Sequence, residues 1–183
     1  MGVLKLFSGR SLAERYLERG LYHLDKKQYE EALADLTSAI GEEPYNAELY
    51  TTRGFIYLES NRAEFLDFAR ADFMYALRLD PRQWVAHYCL GMIAFAAQEY
   101  RDALESFAAA HLQAPSRPEI NYYLGLCYVR LEELDDAIRE MTTAVELFQE
   151  QADSRQRYAR SWLRLLKQAQ RSRRALPRGR AVS

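Results

Sequence analysis

Apolar residues recur along this chain at the three- and four-residue spacing of a single helix face, as in Leu90 and Ala94 and then Ala103, Leu104, Phe107 and Ala110. Small residues punctuate that pattern at regular distances. Gly20, Gly54, Gly91 and Gly125 follow one another at intervals of 34, 37 and 34 residues, and Ala32, Ala103 and Ala137 stand twelve after Gly20, Gly91 and Gly125. In the second repeat the alanine is Ala69, fifteen after Gly54. A second alanine comes seven further on, at Ala39, Ala76, Ala110 and Ala144, and a proline five beyond it at Pro44, Pro81 and Pro115, where the fourth repeat has Gln149. The markers beyond Gly54 all shift by three residues, which predicts one insertion near Asn61 to Glu64. A period of this length is one supersecondary unit, here two amphipathic helices, that buries its apolar face by stacking on its neighbours. Small residues at the glycine and first alanine places let the two helices of a hairpin approach closely, and the second alanine admits the next helix. The prolines cannot continue a helix and set the boundaries.

Helix starts are legible as well. Ser11-Leu12-Ala13-Glu14 and Ser116-Arg117-Pro118-Glu119 both predict a capping box, in which a hydroxyl and a returning carboxylate satisfy free amides. A further helix is predicted from about Asp153 to Ala175, and it keeps phase, since Ala159 lies 34 after Gly125 and Trp162 lies 34 after Tyr128. Tyr158, Trp162, Leu163, Leu165 and Leu166 are expected to cover the apolar face that the last repeat leaves open. Residues 1–12 form a separate apolar segment, with Val3, Leu4, Leu6 and Phe7 able to pack on the first hairpin, fill a groove, dock a partner or touch a membrane. Residues 176–183 are predicted to be a basic, flexible tail.

This arrangement of an aromatic, a Leu-Gly pair, a Tyr, an Ala, a Phe, an Ala and a Pro resembles the tetratricopeptide repeat (TPR). Residues 84–117 match closely through Leu90, Gly91, Tyr100, Ala103, Phe107, Ala110 and Pro115. Residues 13–46 supply Tyr16, Gly20, Tyr29, Ala32, Leu36, Ala39 and Pro44, with Arg19 in the leucine place. Residues 47–83 supply Tyr50, Gly54, Tyr57, Ala69, Phe73, Ala76 and Pro81, with Arg53 in that place. Residues 118–151 supply Leu124, Gly125, Tyr128, Ala137, Met141 and Ala144. The resemblance implies an all-α, right-handed superhelical solenoid of four helix hairpins with a C-terminal capping helix over 152–175.

It also implies which side chains line the concave face: Leu17, Leu21, Leu24 and Asp25; Thr51, Phe55, Leu58 and Glu59; Tyr88, Met92, Phe95 and Ala96; Tyr122, Leu126, Val129 and Arg130. Family members that clamp the carboxyl terminus of heat-shock chaperones carry Lys, Asn and Arg at several of these places. Here those places hold Leu17, Leu21, Thr51, Phe55, Tyr88 and Met92, so the clamp is missing and a chaperone-tail carboxylate is not the expected partner. The expected ligand is a peptide or helix of a partner protein with apolar anchors, bound in an aromatic-rich groove. Tyr88, Met92, Phe95, Tyr122 and Leu126 are expected to carry most of the affinity, with Arg130 beside them. The competing expectation is that tight curvature or the amino terminus hides this face.

Charge divides the chain sharply. Residues 1–154 carry 15 basic and 26 acidic side chains, a net of −11, whereas 155–183 carry 10 basic side chains and no acid. Arg157, Arg160, Arg164, Lys167 and Arg171 recur at spacings of three and four, predicting a basic stripe along the capping helix. Such a stripe suits nucleic acid, an anionic membrane or an acidic protein. The competing expectation, that the stripe pairs with the acidic repeats or is merely a solvated face, takes precedence. A permanent place as a subunit of a larger complex is a further expectation.

Nothing in the pattern speaks for catalysis. His23, His87 and His111 are scattered over different repeats, no glycine loop cradles phosphate, and Cys89 and Cys127 lack metal-type spacing, so no enzyme, cofactor or metal is expected. The longest uncharged stretch, Gln83 to Gln98, is 16 residues and includes His87, too short to span a bilayer. With no secretory pattern at the amino terminus and two cysteines, a reducing cytoplasm is the expected location.

Overall fold

The computed structural model describes residues 10–175, all in helices and short connections. Most of the apolar amino-terminal segment and the tail 176–183 lie outside the described residues. In chain order the helices are α1 (Leu12–Asp25), α2 (Tyr29–Glu42), α3 (Ala47–Glu59), α4 (Leu66–Leu79), α5 (Trp84–Ala96), α6 (Tyr100–Gln113), α7 (Pro118–Arg130), α8 (Leu134–Glu150) and α9 (Gln156–Ala175), with a 3-10 turn at Ala63–Phe65. The chain forms two compact units, one ending at Leu90 and the other beginning at Gly91. In the first, α1 packs on α2, α2 on α3 and α3 on α4. In the second, α6 packs on α7, α7 on α8 and α8 on α9.

The glycine markers sit where two helices of a hairpin touch. A Cβ at Gly54 would stand 2.9 Å from the Phe73 ring, at Gly91 2.8 Å from the Phe107 ring, and at Gly125 3.1 Å from Met141 Cε. Both alanines of each repeat are wholly buried, Ala103 and Ala110 among them. The close approach predicted from the spacing is therefore an aromatic ring or thioether pressed onto a bare backbone. The first unit's core gathers Leu36, Leu49 and Ile56 around Ala32 and Ala39, and part of the second gathers Met141 and Phe148 with Ala137, Ala144, Ala159 and Leu166.

Each hairpin turns through a residue in the left-handed region seven places after its glycine: Lys27 at φ 56°, Asn61 at 52°, Gln98 at 65° and Glu132 at 63°. The next amide reaches back five residues in a Schellman closure, as Gln28 N–H to the His23 carbonyl, Glu99 to Ala94 and Glu133 to Tyr128, all at 2.9 Å. Since Asn61 keeps this place and α4 starts late, the three extra residues of the second repeat follow the turn and wind into the 3-10 element. Left-handed geometry strains a β-carbon, and Asn tolerates it better than Lys, Gln or Glu. Lys27→Gly, Gln98→Gly and Glu132→Gly should each raise stability in a urea titration by about 0.5–1 kcal/mol, while Asn61→Gly gives less.

The capping box at α1 forms: Ser11 Oγ accepts from Glu14 N–H at 3.1 Å and Glu14 Oε2 accepts from Ser11 N–H at 2.8 Å. The box expected at Ser116 does not. α7 starts at Pro118 with Arg117 as its cap residue and no side-chain cap bond. Glu119 is consequently one place too early to reach back, and the proline removes one amide that would need a partner. The prolines Pro44, Pro81 and Pro115 each stand directly after the C-terminal cap residue of a second helix, Glu43, Asp80 and Ala114, inside the turn and not in the next helix's first turn.

A second correction concerns α9. Trp162, Leu163 and Leu166 cover the core of α8 as expected, but Tyr158 and Leu165 are 52% and 54% exposed and cover nothing there. The helix begins at Gln156, after an Asp153 whose Oδ1 accepts the Arg155 amide at 2.8 Å. Hydrogen bonds from the Arg155 side chain, and then that amide bond, hold the Asp153 carboxyl below the usual aspartate range.

Candidate functional site

The departures at Arg19 and Arg53 have a common cause. Arg53 is a fork on Asp72, with Nε to Oδ2 and Nη2 to Oδ1 both at 2.8 Å, and its Nη1 reaches Thr37 Oγ1 at 3.3 Å. Arg19 grips Asp35 in the same way, with Nε to Oδ2 at 2.8 Å, and its Nη2 also bonds the carboxylate. Asp35 and Asp72 are buried, and each sits three residues after the first alanine of its repeat. In the third repeat the corresponding pair is Leu90 and Ser106, and in the fourth Leu124 and Glu140. An arginine in the leucine place thus comes with an aspartate across the hairpin. That covariation within one chain was readable from the spacing and was missed. Bonding to Asp72 raises the Arg53 pKa further.

In the first unit these pairs anchor two helices whose exposed flanks form a groove of about 550 Å³. Leu21 and Leu24 line it from α1, Glu48, Thr51, Thr52 and Phe55 from α3, and Gln83 and Val85 where α5 begins. Leu21 is 45% and Phe55 38% exposed, high for side chains of their size. Thr51 gives its hydroxyl to the Ala47 carbonyl at 3.1 Å, so the groove wall offers little polar competition there. Leu17 is half-buried against the α1–α2 core, and Tyr88, also half-buried, lies 6.4 Å from the Trp84 ring.

The expected anchors of the second unit are more occupied. Phe95 packs edge-on against Tyr100 at 5.5 Å and Tyr123 at 5.9 Å, and Tyr123 stacks on Phe107 at 5.2 Å. Tyr122 and Leu126 pack against the core shared by α8 and α9, as does Trp162. Burial raises the Tyr122 pKa. Met92 is half-buried, and Arg130 is exposed with its guanidinium 5.8 Å from the Tyr100 ring centre. Of the nine expected contact residues, Leu21 and Phe55 are brought together in the groove of the first unit.

The basic stripe faces solvent throughout: Arg157, Arg160, Arg164, Lys167 and Arg171 are all exposed. Among the described residues none of the five pairs with a carboxylate; Arg157 donates to the Tyr158 hydroxyl at 2.8 Å and Arg160 to Gln149 Oε1 at 3.1 Å. Cys89 and Cys127 are buried free thiols whose pKa values burial pushes up to about 12, so both are packing groups and not nucleophiles. Among the described residues no group of three or more His, Cys, Asp or Glu side chains is placed to hold a metal, and no helix is long and apolar enough to cross a membrane.

Residues 88–154 match the family model of the tetratricopeptide repeat. The Meiotically up-regulated gene 93 protein of Schizosaccharomyces pombe is 28% identical over 105 residues, which is 57% of this chain and 27% of that protein. The chain therefore spans about a quarter of that relative's length. Among solved structures, MamA from Desulfovibrio magneticus RS-1 superposes with a TM-score of 0.66 at 23% identity, over 89% of this chain and 97% of its own. The first TPR of Spaghetti (RPAP3), bound to the HSP90 peptide SRMEEVD, superposes with a TM-score of 0.61 at 23% identity, over 66% of this chain and 96% of its own.

Proposed function

The chain belongs to the tetratricopeptide-repeat family, and from that premise we propose that it is a non-catalytic protein-interaction scaffold whose primary docking site is the groove of the first unit. The observation that carries this reading is the exposure of Leu21 and Phe55 side by side in a groove with Leu24 and Val85 and one carboxylate, Glu48, at its wall. Apolar side chains of that size left in water are a binding surface in waiting. A partner segment with two or three Leu or Phe anchors gains about 1.5–3 kcal/mol from each on burial, to which contacts along the rest of the segment add. The peptide bound by the Spaghetti structure is acidic and ends in a carboxylate, for which this chain has Leu17, Leu21, Thr51 and Phe55 in place of cationic and amide clamps. Its own ligand is an apolar-anchored segment of another kind. Leu17 and Tyr88, half-buried in the same unit, supply secondary contacts, and Met92, Phe95, Tyr122, Leu126 and Arg130 belong to the second unit.

A random peptide library displayed on phage and selected on the full chain tests this. Leu- or Phe-bearing peptides should enrich, and Leu21→Ser/Phe55→Ser should weaken them by at least roughly tenfold with helical circular dichroism unchanged. Peptides that bind this variant and the parent equally place docking elsewhere.

A further inference from the structure

Five cations of α9 share one face. At about 100° per residue Arg157, Arg160, Arg164, Lys167 and Arg171 fall within an arc of about 80°, and at helical rise they extend over about 21 Å. The buried Ala159 and Leu166 lie about 80–100° beyond one edge of that arc, on the core of α8, and the exposed Tyr158 and Leu165 lie as far beyond the other. An open hollow of about 620 Å³ follows the face, lined among the described residues by Arg160, Leu163, Arg164, Lys167, Gln168 and Arg171. All five cations are exposed, and where the face meets α8 the contact is an uncharged amide, Arg160 donating to Gln149 Oε1 at 3.1 Å. Carboxylates of the same unit hold other cations, Asp153 pairing with Arg155 and Asp136 with Arg139, both at 2.6 Å. Among the described residues the stripe is therefore not spent on the acidic repeats.

We propose that this basic face of α9 docks on the phosphate backbone of duplex DNA without reading its sequence. A B-form duplex carries a fixed negative charge about every 1.7 Å of its axis, and its major groove, about 12 Å wide, admits a helix. The two ends of the row, Arg157 with Arg160 and Lys167 with Arg171, are centred about 16 Å apart at helical rise, far enough to meet phosphates on both edges of that groove. All but Lys167 are arginines, whose guanidinium forks match phosphate oxygens. Other anionic partners fit the face less well. A single strand is held by aromatic side chains that stack on its bases, and the arc carries none. A helix on a membrane surface sinks apolar side chains between its cations and the lipid, whereas Tyr158 and Leu165 point well away from the arc. An acidic protein calls for an apolar anchor at the centre of the contact, and the apolar side chain here, Leu163, is half-buried on the α8 core.

The test is fluorescence anisotropy of labelled duplexes of about 20 base pairs with the full chain, across a range of salt. Single-stranded DNA, duplex RNA, polyglutamate and phosphatidylserine vesicles serve as alternatives. Duplexes of two unrelated sequences should bind in the micromolar range at about 50 mM salt and agree within about threefold. Affinity should fall by about 10²-fold by about 200 mM, with a log–log slope of about −3 to −4.5 for up to five phosphates met. Arg160→Gln/Arg164→Gln/Lys167→Gln should weaken binding by at least roughly thirtyfold at about 50 mM salt and make the slope shallower by about 2–3. Arg15→Gln/Lys27→Gln/Arg101→Gln removes the same charge from exposed residues elsewhere and should weaken it by less than about threefold. Both variants alter exposed side chains, so helical circular dichroism should match the parent. Equal weakening by the two variants would reduce the effect to net charge, and tighter binding of single strands, duplex RNA, polyglutamate or vesicles than of duplex DNA would give the face to that partner. Either result overturns the proposal, as does a slope near zero for the parent.

Discussion

Arg53→Leu, which installs the residue that the third and fourth repeats carry at this place, should lower the stability of the protein by about 2–3 kcal/mol, and adding Asp72→Ser should return most of the loss. The single change leaves a buried carboxylate facing a leucine, with both arms of the fork gone. Water reaches Arg53 to some extent, its side chain being 19% exposed, which keeps the loss below the 3–5 kcal/mol typical of fully buried pairs. The double variant recreates the Leu90 and Ser106 combination of the third repeat, where no charge is buried. Urea titrations of the parent, both single variants and the double complete a cycle. A coupling near zero would mean that Asp72 finds water as readily without Arg53 as with it, and that the arginine is a surface residue in effect. For a chain of this length the loss in Arg53→Leu corresponds to a melting temperature lower by roughly 5–10 °C.

The same pair shows where sequence reasoning stopped. Gly54, Ala69, Ala76 and Pro81 place the second hairpin because each marks a close approach or a stop, and such constraints act on single residues. Arg53 looks like a departure when it is read alone, since its meaning lies in a residue 19 positions away across the hairpin. The insertion was placed correctly near Asn61 because the left-handed turn residue keeps its register, though its 3-10 winding had no marker of its own. The Ser116 box failed for a local reason, the proline having taken the first helical position and shifted the frame by one. The candidate site was legible only in part. Counting from the glycines identified the inner positions, but whether a residue there is free depends on neighbours that the count ignores. Phe55 is open, whereas Phe95 is enclosed by Tyr100 and Tyr123, and Tyr122 packs on the core that α8 shares with α9. Likewise the helical period assigned Tyr158 and Leu165 to the covering face of α9, because hydropathy alone does not tell the side that meets α8 from an apolar side left exposed.

Gly91→Ala and Gly125→Ala are the same chemical change at the same repeat position and should act in opposite senses. At Gly91 the new methyl would stand 2.8 Å from the ring of Phe107, a wholly buried side chain that also stacks on Tyr123 at 5.2 Å. A planar ring held on both sides cannot yield by a rotamer change, so the helices must separate, at about 1–3 kcal/mol for overpacking. Against this stands about 1 kcal/mol gained by replacing a helical glycine with alanine. The net expectation for Gly91→Ala is a loss of up to about 2 kcal/mol. At Gly125 the nearest atom is the terminal methyl of Met141, 3.1 Å away, on an unbranched chain with three torsions to adjust. There the propensity gain should prevail, leaving stability unchanged or raised by up to about 1 kcal/mol. Both sites lie in the second unit, so one set of urea titrations followed by circular dichroism compares them in a common background. Equal losses at the two positions would show that the hairpins demand a bare backbone whatever packs on it. Equal gains would show that the Phe107 ring has room that its contacts do not reveal, and the close-approach account of the glycine markers would then fail where it is most sharply drawn.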